Sequence, residues 1–133
     1  DGLMKSLQVF TSRVCIKNNP EIRLKSVKTD EYGLWQQVMI YRIMTELINN
    51  TLKHSRASEI NIQFEKTDKN LIIKYSDNGD GFDVNKVLKN GGGIGLKNIV
   101  SRINSLKGKV HFESNIDKGF NAYMSIGTKY LLN

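Results

Sequence analysis

Hydrophobic positions along the chain recur with two periods. Leu3, Leu7, Phe10 and Val14 stand at helical spacing, and Asn18-Asn19-Pro20 ends or follows that helix. Over residues 21–28, Ile22 and Leu24 alternate with Glu21, Arg23 and Lys25, the pattern of a half-buried or edge strand. A long helix over about 31–54 follows, with Thr29 or Asp30 as its expected cap. On it Ile40, Tyr41, Ile43, Met44, Leu47, Ile48, Thr51 and Leu52 cover about half the circumference, a core face. Alternation returns in Ile60, Ile62 and Phe64, and Asp68-Lys69 turns the chain into a strand that ends at Asp77. Leu96, Ile99, Val100, Ile103 and Leu106 line a further helix that Gly108 is placed to terminate. Val110 and Phe112, then Phe120, Ala122, Met124 and Ile126, alternate in two last strands joined by the polar hairpin 115–119. This order predicts an α+β fold, a two-layer sandwich with a mostly antiparallel sheet covered by helices on one face.

Composition narrows the class. The 133 residues suit a single domain over 1–133, large enough to bury roughly two-thirds of its unfolded surface without disulfides or metal. The single cysteine, Cys15, excludes an internal disulfide and points to a reducing compartment. No apolar run approaches the roughly 18 residues of a membrane span, and the first residues lack a signal-peptide pattern. A start at Asp1 without an initiator Met suggests a piece of a longer protein. The net charge of +7 raises nucleic acid as a partner, but Lys and Arg are spread over the whole length with few aromatics among them. The expectation is therefore no nucleic-acid binding, the charge favouring a polyanionic small molecule such as a nucleotide phosphate.

Candidate chemistry concentrates in two stretches. Six of the eleven glycines fall between Asp77 and Gly95, in Asp77-Asn78-Gly79-Asp80-Gly81 and Gly91-Gly92-Gly93-Ile94-Gly95. They form two loops attached to a strand and a helix, where a ligand can approach the backbone and helix amides can seat an anion. A calcium loop starting at Asp77 fails, because Gly79 and Gly81 fall at ligand positions and Leu88 where a bidentate Glu is needed. A Walker A loop fails too, since Gly108-Lys109 is followed by Val110, and no G-x-G-x-x-G follows a strand. The second stretch is the polar side of the long helix, where Arg42, Glu46, Asn49, Asn50 and Lys53 cluster and His54 ends the row. It reads either as a solvated face with a Glu46–Asn50 hydrogen bond or as a carboxylate, amide and ammonium row that holds magnesium and phosphates.

Three separate stretches resemble one superfamily, that of gyrase, Hsp90, histidine kinases and MutL. Glu46-Leu47-Ile48-Asn49-Asn50-Thr51-Leu52-Lys53-His54 resembles its N box, Asp77-Asn78-Gly79-Asp80-Gly81-Phe82 its G1 box, and Gly93-Ile94-Gly95-Leu96 its G2 box. Within it, Tyr41-Arg42-Ile43, Lys53-His54 and Gly95-Leu96-Lys97-Asn98-Ile99 followed by Arg102 resemble a bacterial sensor histidine kinase. The resemblance implies that Asp77 accepts from the adenine amine, that Gly79 and Gly81 let the chain bend beneath the base, and that Asn50 ligates Mg2+. It also implies that Lys53 approaches the phosphates of ATP or ADP with His54 beside it, and that amides around Gly93, Ile94, Gly95 and Leu96 hold them. Residues 82–92, with Lys86 and Lys89, are then expected to be a mobile lid, and Glu46 the catalytic residue that orients or deprotonates the nucleophile. One departure is Phe120 after Gly119, where the family usually has Thr. Neither His54-Ser55 nor His111-Phe112 matches the phosphoacceptor pattern, so the acceptor histidine is expected on a separate dimerisation domain, with a response-regulator aspartate next in line. The implied protein is the cytoplasmic part of a membrane-anchored sensor, this piece of it a monomer. A serine kinase of the anti-sigma-factor type and a degenerate nucleotide-binding domain share the same boxes.

Overall fold

The computed structural model describes residues 2–18, 20–90 and 95–133, and the side chains of all of these except 16–18 and 90. Among the described residues the elements run α1 (Gly2–Asn18), β1 (Glu21–Lys25), α2 (Leu34–His54), β2 (Glu59–Lys66), β3 (Asn70–Asp77), α3 (Val84–Asn90), α4 (Leu96–Ser105), β4 (Lys109–Ser114) and β5 (Phe120–Gly127), then a short 3-10 turn at Thr128–Tyr130. The strands form one sheet in the order β1-β2-β3-β5-β4. β1 and β2 are parallel because α2 carries the chain back between them, and every other pairing is antiparallel.

Strand alternation sets which face is covered. Ile60, Ile62 and Phe64 on β2, Leu71, Ile73 and Tyr75 on β3, and Phe120, Ala122, Met124 and Ile126 on β5 are all buried. They lie in register across the sheet, Ile62 opposite Tyr75 and Tyr75 opposite Ala122. Onto them α2 lays Ile40, Ile43, Met44, Leu47 and Ile48, and α4 adds Leu96, Ile99 and Ile103. The other face carries the exposed row Gln63, Lys74, Tyr123 and His111, paired strand to strand. The expected two-layer α+β sandwich with helices on one face is therefore the observed one.

Three boundaries differ from the periodicity. β1 stops at Lys25 rather than continuing to 28. α2 begins at Leu34, not near 31, and neither Thr29 nor Asp30 is its cap: that position is Gly33, with no side-chain capping bond. The reason is tertiary. Tyr32 bridges Leu132, and the Gly33 amide donates to the Leu131 carbonyl at 2.8 Å, so the C-terminal tail claims the residues that would have opened the helix. At the end of α4, the left-handed residue is Lys107, φ 58°, and not Gly108. Gly108 is needed instead for contact, since a Cβ there would lie 2.8 Å from the Ser125 carbonyl oxygen.

Candidate functional site

β3 continues its inward row one position too far for an apolar core. After Leu71, Ile73 and Tyr75, the same alternation turns the carboxylate of Asp77 inward, where it is 8% exposed. Burying an ionised carboxylate is costly unless donors reach it. Here Thr51 on α2 donates its hydroxyl to Oδ2 at 2.7 Å, and the Gly79 amide donates to Oδ1 at 2.9 Å. Burial pushes the Asp77 carboxyl above the usual range, and hydrogen bonds from Thr51 and from the amides of Gly79 and Phe120 only partly oppose this. Thr51 also shares a short hydrogen bond with the Tyr75 hydroxyl, which reaches the Leu47 carbonyl at 3.1 Å.

The loop after β3 is sewn to the end of α2. Asp80 donates its amide to the Ser55 carbonyl at 2.7 Å and takes the Arg56 guanidinium at 2.8 Å. A side chain at Gly79 would collide with the Ser55 carbonyl, and Gly81, φ 69°, would collide with that of Asn115 in the hairpin. These two glycines are thus sites of close backbone approach on both sides of the loop. The expected loop at 82–92 contains α3, started by Asp83, whose side chain accepts from the Lys86 amide at 3.1 Å. Its Val87 and Leu88 face the same space as the polar side of α2.

That space is a cavity of about 460 Å³ lined by Glu46, Asn50, Lys53, His54, Gly95 and Leu96 among others, so the structure brings six of the expected site residues together. Asp77 lines a second cavity of only about 10 Å³, closed by Phe82 and Phe120, whose rings stack 5.3 Å apart. Asn50, His54 and Leu96 line both cavities and form the partition between them. Gly79 and Gly81 line neither, and Gly93 and Ile94 lie outside the described residues. Gly95, φ 73°, sits at the N-terminus of α4, which no side chain caps, and a Cβ there would collide with the Glu46 carboxylate.

The alternative reading of the α2 polar row, a Glu46–Asn50 hydrogen bond, is not formed. Instead the Asn50 amide nitrogen is buried with no partner among the described residues. The unpartnered NH2 is a donor suited to a phosphate oxygen, and the amide oxygen, beside the Glu46 carboxylate and the Lys53 ammonium on one cavity wall, is the atom that would hold a hard cation. No group of three His, Cys, Asp or Glu capable of holding a metal alone exists among the described residues, so such an ion would depend on the ligand's oxygens. Three contributors fall outside the expected site set. Thr51 belongs by spacing to the core face, although a hydroxyl among apolar neighbours was the available signal. Phe82 ends the Asp77-to-Phe82 stretch and Phe120 departs from the family's usual Thr, but only the fold stacks their rings beside Asp77.

A two-layer sandwich with a buried acceptor at a strand end, an adjoining polar chamber and a helix N-terminus that no side chain caps is an arrangement suited to a nucleotide. Residues 36–129 match the model of the Histidine kinase-, DNA gyrase B-, and HSP90-like ATPase family, and the chain belongs to that family, whose domains bind ATP. It is 31% identical over 126 residues to the sensor histidine kinase ComP of Bacillus subtilis (strain 168), a match covering 94% of this chain and 16% of that protein. It is 30% identical over 90 residues to the signal transduction histidine-protein kinase/phosphatase DegS of Brevibacillus brevis, covering 68% of this chain and 23% of that protein. The fold matches the histidine kinase domain of the Erythrobacter litoralis EL346 blue-light activated histidine kinase with a TM-score of 0.80 at 15% identity, covering 97% and 64% of the two chains. It also matches the Acinetobacter baumannii histidine kinase AdeS with a TM-score of 0.76 at 20% identity, over 95% and 63%. This is a histidine kinase-type ATPase domain, spanning under a quarter of the length of the curated relatives it matches.

Proposed function

We propose that residues 1–133 are one catalytic domain that binds Mg-ATP and delivers its γ-phosphoryl group to a histidine on the dimerisation domain of a sensor kinase. A response-regulator aspartate is the next acceptor, and the domain works on the cytoplasmic side of a membrane-anchored sensor. The observation that carries this reading is the buried Asp77 carboxylate, in a small cavity that shares Asn50, His54 and Leu96 with the 460 Å³ chamber. A base seated on Asp77 extends its phosphates past these three residues.

Each residue then has a task at a stated atom. Asp77 accepts from the exocyclic amine, which a carboxylate does without offering a competing donor. Asn50 would hold Mg2+ through its side-chain oxygen, and the ion would supply charge neutralisation for the phosphates, while the unpartnered Asn50 NH2 is free to donate to a phosphate oxygen. Lys53 neutralises the phosphates with His54 beside it, and the first amides of α4 at Gly95 and Leu96 receive phosphate oxygens. Glu46, in van der Waals reach of Gly95, orients the incoming imidazole. In the transfer the imidazole nitrogen forms the N–P bond as the bond from the γ-phosphorus to its bridging oxygen breaks, and ADP departs.

Thermal unfolding with and without Mg-ADP tests the site. At about 100 times the dissociation constant the ligand adds roughly 2.7 kcal/mol, several degrees of midpoint for a domain of this size. The shift is expected in the wild type and absent in Asp77→Asn. No shift in either protein would overturn the nucleotide site, and a shift without phosphotransfer would leave the degenerate nucleotide-binding domain as the reading. With labelled ATP and the dimerisation domain, the expected product is an acid-labile phosphate, lowered at least a hundredfold by Glu46→Gln with the Mg-ADP shift retained. Acid-stable phosphate on serine would favour the anti-sigma-type kinase.

A further inference from the structure

At the end of the sheet remote from Asp77 lies a second, larger concavity. Asn70 starts β3 and pairs with Gly127 at the end of β5, seven residues along each strand from Asp77 and Phe120, a separation of roughly 20–25 Å. A groove of about 850 Å³ opens there, and four lysines line it: Lys69, Lys107, Lys109 and Lys129. They come from three places in the chain, the β2–β3 turn, the α4–β4 turn and the C-terminal tail. The fold alone assembles them, and the Thr128 amide ties two of the segments by donating to the Lys69 carbonyl at 2.8 Å. Asp68 is the sole acidic residue in the lining. None of the four ammonium groups is in an ion pair among the described residues, although acids elsewhere on the surface are paired with Arg23, Arg56, Lys66 and Lys74.

Lys107 adds a second observation. It holds a left-handed backbone, φ 58°, at the position after a helix where glycine is favoured, while the neighbouring Gly108 is spent on contact with β5. The strained position is thus filled by a residue whose side chain adds charge to the groove. Four like charges on one concave wall repel one another, and a bound anion reverses that cost. The hydroxyl-bearing residues Ser125, Thr128 and Tyr130 complete the lining with neutral donors.

We propose that this groove is a second anion site, separate from the nucleotide chamber, for a ligand carrying two or more phosphate groups. Its volume exceeds the need of a single ion and suits a group with several phosphates in a row. Lysine ammonium groups suit such a ligand as point charges with freely rotating donors. The ligand's source is either a soluble polyphosphorylated molecule or a phospholipid headgroup.

The experiment is an amide NMR titration of the intact chain with inorganic tripolyphosphate at about 0.1 M salt, run beside sedimentation with vesicles containing cardiolipin, whose headgroup carries two phosphates. Expected are shifts at residues 68–70, 107–109 and 125–130, with at least tenfold weaker binding in Lys107→Gln/Lys109→Gln and in Lys69→Gln/Lys129→Gln. All four positions are exposed, so neither pair threatens the fold. Lysine-dependent tripolyphosphate binding assigns a soluble source. Vesicle capture lost in both double variants, with no tripolyphosphate response, assigns the headgroup. Shifts confined to residues 46–54 and 95–98, affinity unchanged in the double variants, or no binding in either arm would overturn the proposal.

Discussion

Asp77 concentrates the conflict between folding and binding in one side chain. Its Oδ2 accepts from Thr51, which is joined in turn to the Tyr75 hydroxyl and through it to the Leu47 carbonyl. Burial raises the pKa of this carboxyl, and the hydrogen bonds only partly oppose it. The sign of the linkage follows. Below the ordinary carboxylate pKa of 3.8, Asp77 is protonated whether the chain is folded or not. As pH rises above that value the unfolded chain ionises first, so Asp77 withdraws stability until the raised folded pKa is passed. Asp77→Asn has no such term. Urea midpoints of wild type and variant, compared from pH 4 to 8, are expected to diverge in favour of the variant as pH rises. A constant difference would show that Asp77 ionises normally. The same variant is the one expected to lose nucleotide, so stability and binding move in opposite directions.

At the scale of elements, α2 serves the core and the site with opposite faces. Its buried side holds Ile43, Leu47 and Ile48, while Glu46, Asn50 and Lys53 face the chamber. Spacing made both faces legible, because side chains three or four apart share a side wherever the helix packs. What spacing missed is how neighbouring elements shape that wall: Gly95 pressed on Glu46, and the loop at Gly79 pressed on Ser55. Phe82 is the clearest case. Its ring, stacked on Phe120, fills the space beside Asp77 and leaves about 10 Å³, too little for a purine. Seating a base therefore requires the ring to move, at the cost of a stacking contact of about 0.5–1.5 kcal/mol. Phe82→Ala is expected to bind ADP up to about tenfold more tightly by calorimetry. Weaker binding would mean that the displaced ring holds the base instead.

For the molecule as a whole, the sheet separates functions by its two ends and its two faces. The proposed nucleotide site lies at the Asp77 end, the lysine groove at the other, and the uncovered face is a polar row. The tail closes the layers at the groove end. Leu131 is fully buried, and its carbonyl holds Gly33 at the start of α2, so a residue near the last position sets where the central helix begins. Leu131→Ala is expected to cost about 2–5 kcal/mol in unfolding free energy, a core-sized loss measurable by denaturant titration. A loss under roughly 0.5 kcal/mol would mark the tail as a surface strand.

The sequence by itself determined the periodic elements, the single covered face, the three boxes and the grouping of Glu46, Asn50 and Lys53. These follow from 3.6- and 2-residue periods, which are local properties of the backbone. Tertiary structure alone decided the start of α2, the helix within the expected lid, the left-handed place of Lys107, the Thr51 hydroxyl beneath Asp77 and the closure by Phe82. It also gathered four lysines from three distant turns. Each of these depends on residues far apart in the chain meeting across a packed interface, and no short-range pattern encodes which backbone carbonyl or ring will be waiting there.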